Sequence, residues 1–461
     1  MQTSALGVGW RFIFMAIVEK EQTGIDVVGA TPARVRAVAG VRTAAHRTFQ
    51  SLEVSDFRIL WLGFMGSWFA LQMQQVARGY LAYQLTGNAV ALGLVTLAMG
   101  LPRIVLSSFG GVLADRFAKR TVLLWTQAAL GLIALAQAIM LAAHVMTIEW
   151  LIVAGFLQGT AFSFNMPARQ AYLPTIVGSG DNLANALALN NAGMNMTRIV
   201  GPAIAGLLIA VPFIDVKGVF FLIALCYLWV WWSVYRVQNA GEPERQRSGM
   251  ARSIIDGFGY VGRRPALVAL MSLGFIPLAV GMPYTSLMPV IAVHDLNIGS
   301  IGLGLLLTVS GIGALLGTLG VAYLANYPRK SEMQLVLGVI FGLSLLAFAF
   351  FAREGMILPA VPCLFLTGVA GDAYMALNST LVMMITEPGV YGRVMGVYMT
   401  TQSVRPITVL PISAVADAIS TPLTLLICGG FVAVFVAAVA TFYPGYRRIG
   451  TQPVLTQKGS P

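Results

Sequence analysis

The run Gly110-Gly111-Val112-Leu113-Ala114-Asp115-Arg116-Phe117-Ala118-Lys119-Arg120 joins two long apolar stretches of the chain. Glycine adds no Cβ, so helix ends carrying it can approach closely. A carboxylate set among guanidinium and ammonium groups makes charge-assisted bonds that latch one arrangement of a loop. A merely solvated basic loop would explain the charges but not the spacing of Gly111, Asp115, Arg116, Lys119 and Arg120. A decayed copy follows later in the chain, Gly320-Val321-Ala322-Tyr323-Leu324-Ala325-Asn326-Tyr327-Pro328-Arg329-Lys330, with Asn326 in place of the aspartate. Two copies half a chain apart mark an internal duplication.

Outward from these loops the chain is a succession of apolar segments. They cover residues 57–86, 89–114, 121–144, 148–172, 183–211 and 219–235, then 266–293, 300–325, 333–352, 356–386, 394–416 and 422–446. About 20 apolar residues cross a bilayer, so each segment is long enough to span. Of 461 residues 57% are hydrophobic and 10% charged, against about 25% charged in an ordinary soluble domain. The fold class predicted is therefore an all-α membrane protein of twelve helices, arranged as two pseudo-symmetric six-helix bundles. The domains expected are an N-terminal extension at 1–56, a bundle at 57–235, a linker at 236–265, a second bundle at 266–446 and a tail at 447–461.

The net charge of +11 would suit a nucleic-acid partner if it were clustered. It is instead spread over alternate loops, at Arg58, at Arg116, Lys119 and Arg120, at Arg236, Arg245, Arg247, Arg252, Arg263 and Arg264, at Arg329 and Lys330, at Arg393, and at Arg447 and Arg448. The opposite loops hold little beyond Lys217 and Arg353, with Glu149, Asp215, Asp295 and Glu354. The positive-inside rule then places both termini in the cytoplasm of a multi-pass plasma-membrane protein. The stretch 7–18 is apolar but short, holds Arg11 and lacks the layout of a secretory peptide. The stretch 31–49, rich in Ala and Arg, fits either a helix lying on an anionic leaflet or a disordered tail. Cys226, Cys363 and Cys428 lie singly in apolar runs, and His46, His144 and His294 are scattered, so the residues offer no metal or cofactor site.

The signature loop resembles that of the major facilitator superfamily, with Ala118 where a glycine is usual. The resemblance covers roughly Phe57 to Tyr446. Further strings resemble its efflux branch, which includes the enterobactin exporter and macrolide-efflux proteins: Asn165-Met166-Pro167-Ala168-Arg169-Gln170, Arg198-Ile199-Val200-Gly201-Pro202 with Gly206, Asp256-Gly257-Phe258-Gly259-Tyr260-Val261-Gly262-Arg263-Arg264-Pro265, and Tyr391-Gly392-Arg393-Val394-Met395-Gly396. Gly201, Pro202 and Gly206 are similar to the motif associated with exporters, in a shortened form. That branch works by proton antiport, so the resemblance implies efflux driven by protons. The residues by themselves imply only a carrier.

Charges at bilayer depth are costly and point to function. Arg78, Arg103, Arg198, Asp372 and Arg405 are of this kind. Asp372 is the one acid near a span centre, and a buried protonatable group can change charge as a site opens to each side; it is the candidate for proton coupling. Arg198 and Arg405 occupy corresponding spans and are expected to face a central cavity as a pair. For Arg78, Arg103 and Arg169, pairing with backbone carbonyls or snorkelling is the reading preferred over a functional one. Gln74, Gln75, Asn191, Asn195, Asn378 and Gln402 are candidates to line the same cavity, with helix-to-helix bonding as the alternative for each.

The function expected is secondary active transport of a small amphiphilic organic solute by alternating access, as proton-coupled efflux. An importer of a vitamin or other nutrient is the alternative within the class, and a transport-dead receptor is the alternative outside it. No GxxxxGK[ST] loop for ATP is present, and no convergent nucleophile, base or metal set marks an enzyme. The partners expected are the solute, protons and the lipid bilayer, with no cofactor and no nucleic acid, acting on a monomer.

Overall fold

A computed structural model describes residues 50–178, 180–237, 239, 258–443, 445 and 446, and at positions 50, 107–116, 181 and 388 the backbone alone. The expected extension up to residue 49, most of the linker and the tail lie outside the described residues. The described residues from Ser51 onward belong to one compact unit.

The helices in order are α1 (Ser55–Thr86), α2 (Ala89–Arg116), α3 (Lys119–Ala142), α4 (Ile148–Val177), α5 (Asp181–Ala210), α6 (Asp215–Arg236), α7 (Pro265–Ile276), α8 (Tyr284–Val290), α9 (Gly299–Tyr323), α10 (Lys330–Arg353), α11 (Ile357–Ile385), α12 (Tyr391–Ser403), α13 (Arg405–Ala418) and α14 (Thr421–Phe442). No strand occurs among the described residues. In a hydrocarbon solvent every backbone N–H and C=O must be satisfied within its own segment, which leaves the helix as the solution for these apolar runs.

α7 and α8 make one broken span with two π-type turns, Pro277–Gly281 and Ile291–Asp295. Pro277, Pro283 and Pro289 remove backbone donors along it, and the wider turns re-route the bonds. α12 and α13 are likewise one span broken at Val404, because Pro406 has no N–H to donate four residues back and its ring crowds that carbonyl. Counting these as single spans gives twelve membrane-length segments among the described residues. Nine are apolar enough to cross a membrane by length and composition among the described residues. The remaining segments, α1, α4 and α12–α13, have the length but carry the polar residues discussed below. Helix ends agree with the apolar segments to within a few residues, and α4 departs most, continuing past Tyr172 to Val177.

The packing repeats. α2 packs on α4, α3 on α4, and α3 on α6; in the second half α9 packs on α11, α10 on α11, and α10 on α14. The halves meet along α5 with α9 and α2 with α13, a pair of contacts that the same repeat exchanges. Buried aromatics such as Phe64, Tyr227, Phe341 and Tyr374 fill the interior, while Trp125 at 75% and Leu358 at 85% stand exposed on the outer faces. Apolar side chains pointing outward are what a bilayer-facing surface needs.

Candidate functional site

The two glycine-containing seams between the halves frame the site. A Cβ on Gly206 of α5 would lie 2.5 Å from the Ser300 carbonyl oxygen at the start of α9, and one on Gly304 would lie 2.6 Å from the Pro202 carbonyl oxygen. At the other seam, a Cβ on Gly100 of α2 would lie 2.1 Å from the Pro406 ring of α13. Only glycine permits such approach. Thr308 of α9 adds a hydrogen bond of 3.0 Å to the Ile199 carbonyl. Asp417, at the end of α13, accepts from the backbone amides of Ala89 at 2.6 Å and Val90 at 2.7 Å. A carboxylate there satisfies donors that the first turn of α2 leaves open and complements its dipole. The Gly206–Ser300 and Asp417–Ala89 contacts lie on the side of the α1–α2 turn, whereas Gly100–Pro406 and Thr308–Ile199 lie deeper, next in sequence to Arg405 and Arg198.

Beneath them, at the middle depth of the helices, the charges converge. Arg198 of α5 donates Nη1 to Asp372 Oδ1 at 2.8 Å and Nη2 to Oδ2 at 3.1 Å, a bidentate pair between the two halves. The side chains are 40% and 24% exposed, so the pair borders water-accessible space rather than sealed core. Arg405, first residue of α13, donates to the Thr285 hydroxyl of α8 and, at 3.4 Å, to the Met282 carbonyl. Tyr284 shares a hydrogen bond of 2.7 Å with Ser310 and lies within electrostatic range of Arg198, Asp372 and Arg405. Arg103 of α2 is exposed and lies within range of Arg78 and Arg405. Arg78 of α1 donates to Gln158 Oε1 at 3.2 Å, and Gln158 in turn donates to Gln137 Oε1 at 3.0 Å.

Arg78, Arg103, Arg198, Arg405 and Asp372 are thus brought together. Arg169 is not among them: it is buried, donates to the Phe64 carbonyl at 3.4 Å and lies over the Phe64 and Trp68 rings at 3.7 and 4.4 Å. The backbone bond is one of the readings the sequence offers for it; the ring contacts are not among them. The amides divide. Gln75 and Asn191 are exposed, Asn195 is half-buried, and Gln402 bonds to Tyr398. Asn378 is fully buried and donates to the Leu270 carbonyl at 2.9 Å, tying α11 to α7. Gln74 is buried with neither amide atom bonded. Gly201 presses α5 on α1, where an added Cβ would meet Gln72 Cβ at 2.7 Å.

In the signature loop, the side chains of Gly111, Asp115 and Arg116 lie outside the described residues. Lys119 is buried, and Arg120 donates to the carbonyls of Val234 and Tyr235, pinning the start of α3 to the end of α6. On the same side, Arg264 pairs with Glu387 at 2.6 Å; that hydrogen bond raises the Arg264 guanidinium above its ordinary range. Two apolar grooves of about 710 and 460 Å³, between α3 and α4 and between α3 and α6, are lined by residues such as Trp125, Leu132 and Trp231 and by no charged group. They belong to the bilayer-facing surface.

Tyr284, Thr285, Gln158 and Asp417 join the site without any mark in the sequence. Asp417 reads there as a loop charge at a span end, and only its position opposite the first turn of α2 gives it a role.

A family model described as a transmembrane secretion effector matches residues 46–448. The staphyloferrin A transporter of Staphylococcus aureus is 25% identical over 381 residues, covering 81% of this chain and 91% of that protein. The multidrug efflux pump Tap of Mycolicibacterium fortuitum is 27% identical over 389 residues, covering 81% and 92%. Among solved structures, a nucleoside transporter superposes with a TM-score of 0.67 at 14% identity, over 84% of this chain and 99% of that one, a likeness of fold alone.

Proposed function

The chain belongs to the transmembrane secretion effector family of the major facilitator superfamily, and from that premise we propose that it exports a small amphiphilic organic solute, such as a drug, siderophore or other metabolite, by secondary active transport coupled to protons. The relatives whose printed names are a siderophore transporter and a multidrug efflux pump support efflux of such solutes.

One observation carries the mechanism: the ion pair Arg198–Asp372 joins the two halves at middle depth beside water-accessible space. If the halves rock against each other, the distance between these side chains must change. A carboxylate whose guanidinium neighbour comes and goes can load and release a proton, and this gives Asp372 the coupling role. Arg78, Arg103, Arg198, Arg405, Gln75, Asn191 and Asn195 line the path of the solute. The contacts at Gly206 and Gly93, with the Asp417 cap, close the side of the α1–α2 turn, which we assign to the outside; both termini face the cytoplasm. Gly111, Asp115, Arg116 and Lys119 act as the latch that closes the opposite side in the alternate state.

Everted membrane vesicles test this reading. Solute should accumulate in vesicles carrying the chain when their interior is acidified, and collapse of the pH gradient should release it. Accumulation that ignores the gradient rejects proton coupling, uptake only in right-side-out vesicles indicates an importer, and saturable binding without flux indicates a receptor.

A further inference from the structure

Charge in the central site is unbalanced. Arg78, Arg103, Arg198 and Arg405 face one carboxylate, and Asp372 already spends both oxygens on Arg198. Arg78 bonds to a neutral amide, and Arg405 to a hydroxyl and a carbonyl. Among the described residues no carboxylate lies within salt-bridge distance of Arg78, Arg103 or Arg405. Arg103 is moreover an exposed residue of α2, one turn from Gly100 of the α2–α13 seam.

Arg103 lies within electrostatic range of both Arg78 and Arg405, so these like charges repel, and low-dielectric walls focus their field. Guanidinium groups are costly to hold at bilayer depth unless something at that depth compensates them. Arginine rather than lysine at all of these positions favours planar, bidentate recognition of carboxylate or similar oxyanions. On the reading that this is the transport site, we infer that the solute is an organic anion carrying two or more acidic groups, and that Arg78, Arg103 and Arg405 select it against cationic amphiphiles. The charge that the protein lacks at this depth is supplied by the cargo.

Two xanthene dyes of similar size and opposite charge test this: carboxyfluorescein, a multiple anion, and rhodamine 6G, a cation. Equilibrium dialysis of the purified full-length chain, with protein-free micelles as blank, should show saturable binding of carboxyfluorescein that weakens with salt, and none of rhodamine 6G. Arg103→Gln and Arg405→Gln should each weaken anion binding about tenfold or more, as loss of a charged hydrogen-bond partner does, whereas Arg103→Lys, which keeps the charge but not the planar fork, should weaken it less than Arg103→Gln, and Arg329→Gln should leave it unchanged. Equal or tighter binding of rhodamine 6G, absence of saturable anion binding, or anion binding unchanged in both glutamine variants overturns the inference. Flux separates it from the exporter reading. A chain that moves rhodamine 6G but not carboxyfluorescein removes the anion class and leaves export standing; a chain that binds the anion as expected but moves no solute upholds the site and removes export.

Discussion

Asp372 and Asp417 are both carboxylates that join the two halves, yet they work on different donors. Asp372 meets a side chain that can move with its helix; Asp417 meets backbone amides fixed in the first turn of α2. The substitution Asp372→Asn keeps the size and fixes the neutral form, so vesicles carrying it should lose accumulation driven by a pH gradient while solute binding or downhill exchange persists. Accumulation at the wild-type rate would reduce Asp372 to a structural partner of Arg198. Asp417→Ala leaves the α2 amides without their acceptor, a loss of about 1 kcal/mol from the state in which that side is closed. Its expected signature is faster maleimide labelling of a cysteine placed at Ser413, which is buried at the α2–α13 seam; unchanged labelling would mean that the glycine seams alone hold that side shut.

At the scale of elements, the seams explain why small residues sit where they do. α5 and α9 touch backbone to backbone at Gly206 and Gly304, and the α5–α9 bond from Thr308 to Ile199 follows from that closeness. Gly206→Val pushes two methyl groups against the Ser300 carbonyl, and overpacking of this kind costs about 1–3 kcal/mol. Purified protein should therefore unfold at lower temperature, and transport should fall because the closed state on that side is the one strained. A variant with wild-type melting and turnover would show that the seam opens far enough to admit a side chain. The broken spans α7–α8 and α12–α13 follow from proline placement, and their breaks put Thr285 and Arg405 within bonding distance of each other.

For the molecule as a whole, the uneven distribution of Lys and Arg predicts sidedness. Single cysteines at 247, 149 and 295, in a background lacking Cys226, Cys363 and Cys428, should react with an impermeant reagent on intact cells at 149 and 295 only; labelling of 247 from outside would invert the topology. The sequence alone determined the membrane class, the run of apolar segments, the duplication seen in the loops at 110–120 and 320–330, and the family resemblance. Those are local properties, written in hydropathy over some 20 residues and in short strings. It also singled out the charges at bilayer depth, because a costly residue stands out against an apolar background wherever it points. Which of those charges meet was decided by tertiary structure. Arg169 and Arg78 have the same reading in the sequence, but packing stacks one on Phe64 and Trp68 and turns the other to Gln158, within electrostatic range of Arg103. Asn378 and Asn191 are likewise indistinguishable as polar residues of a span, yet one is sealed against Leu270 and the other stands open. A span's face toward its neighbours depends on helix rotation and crossing, which arise from close packing between segments far apart in the chain; hydropathy along one segment does not carry that information.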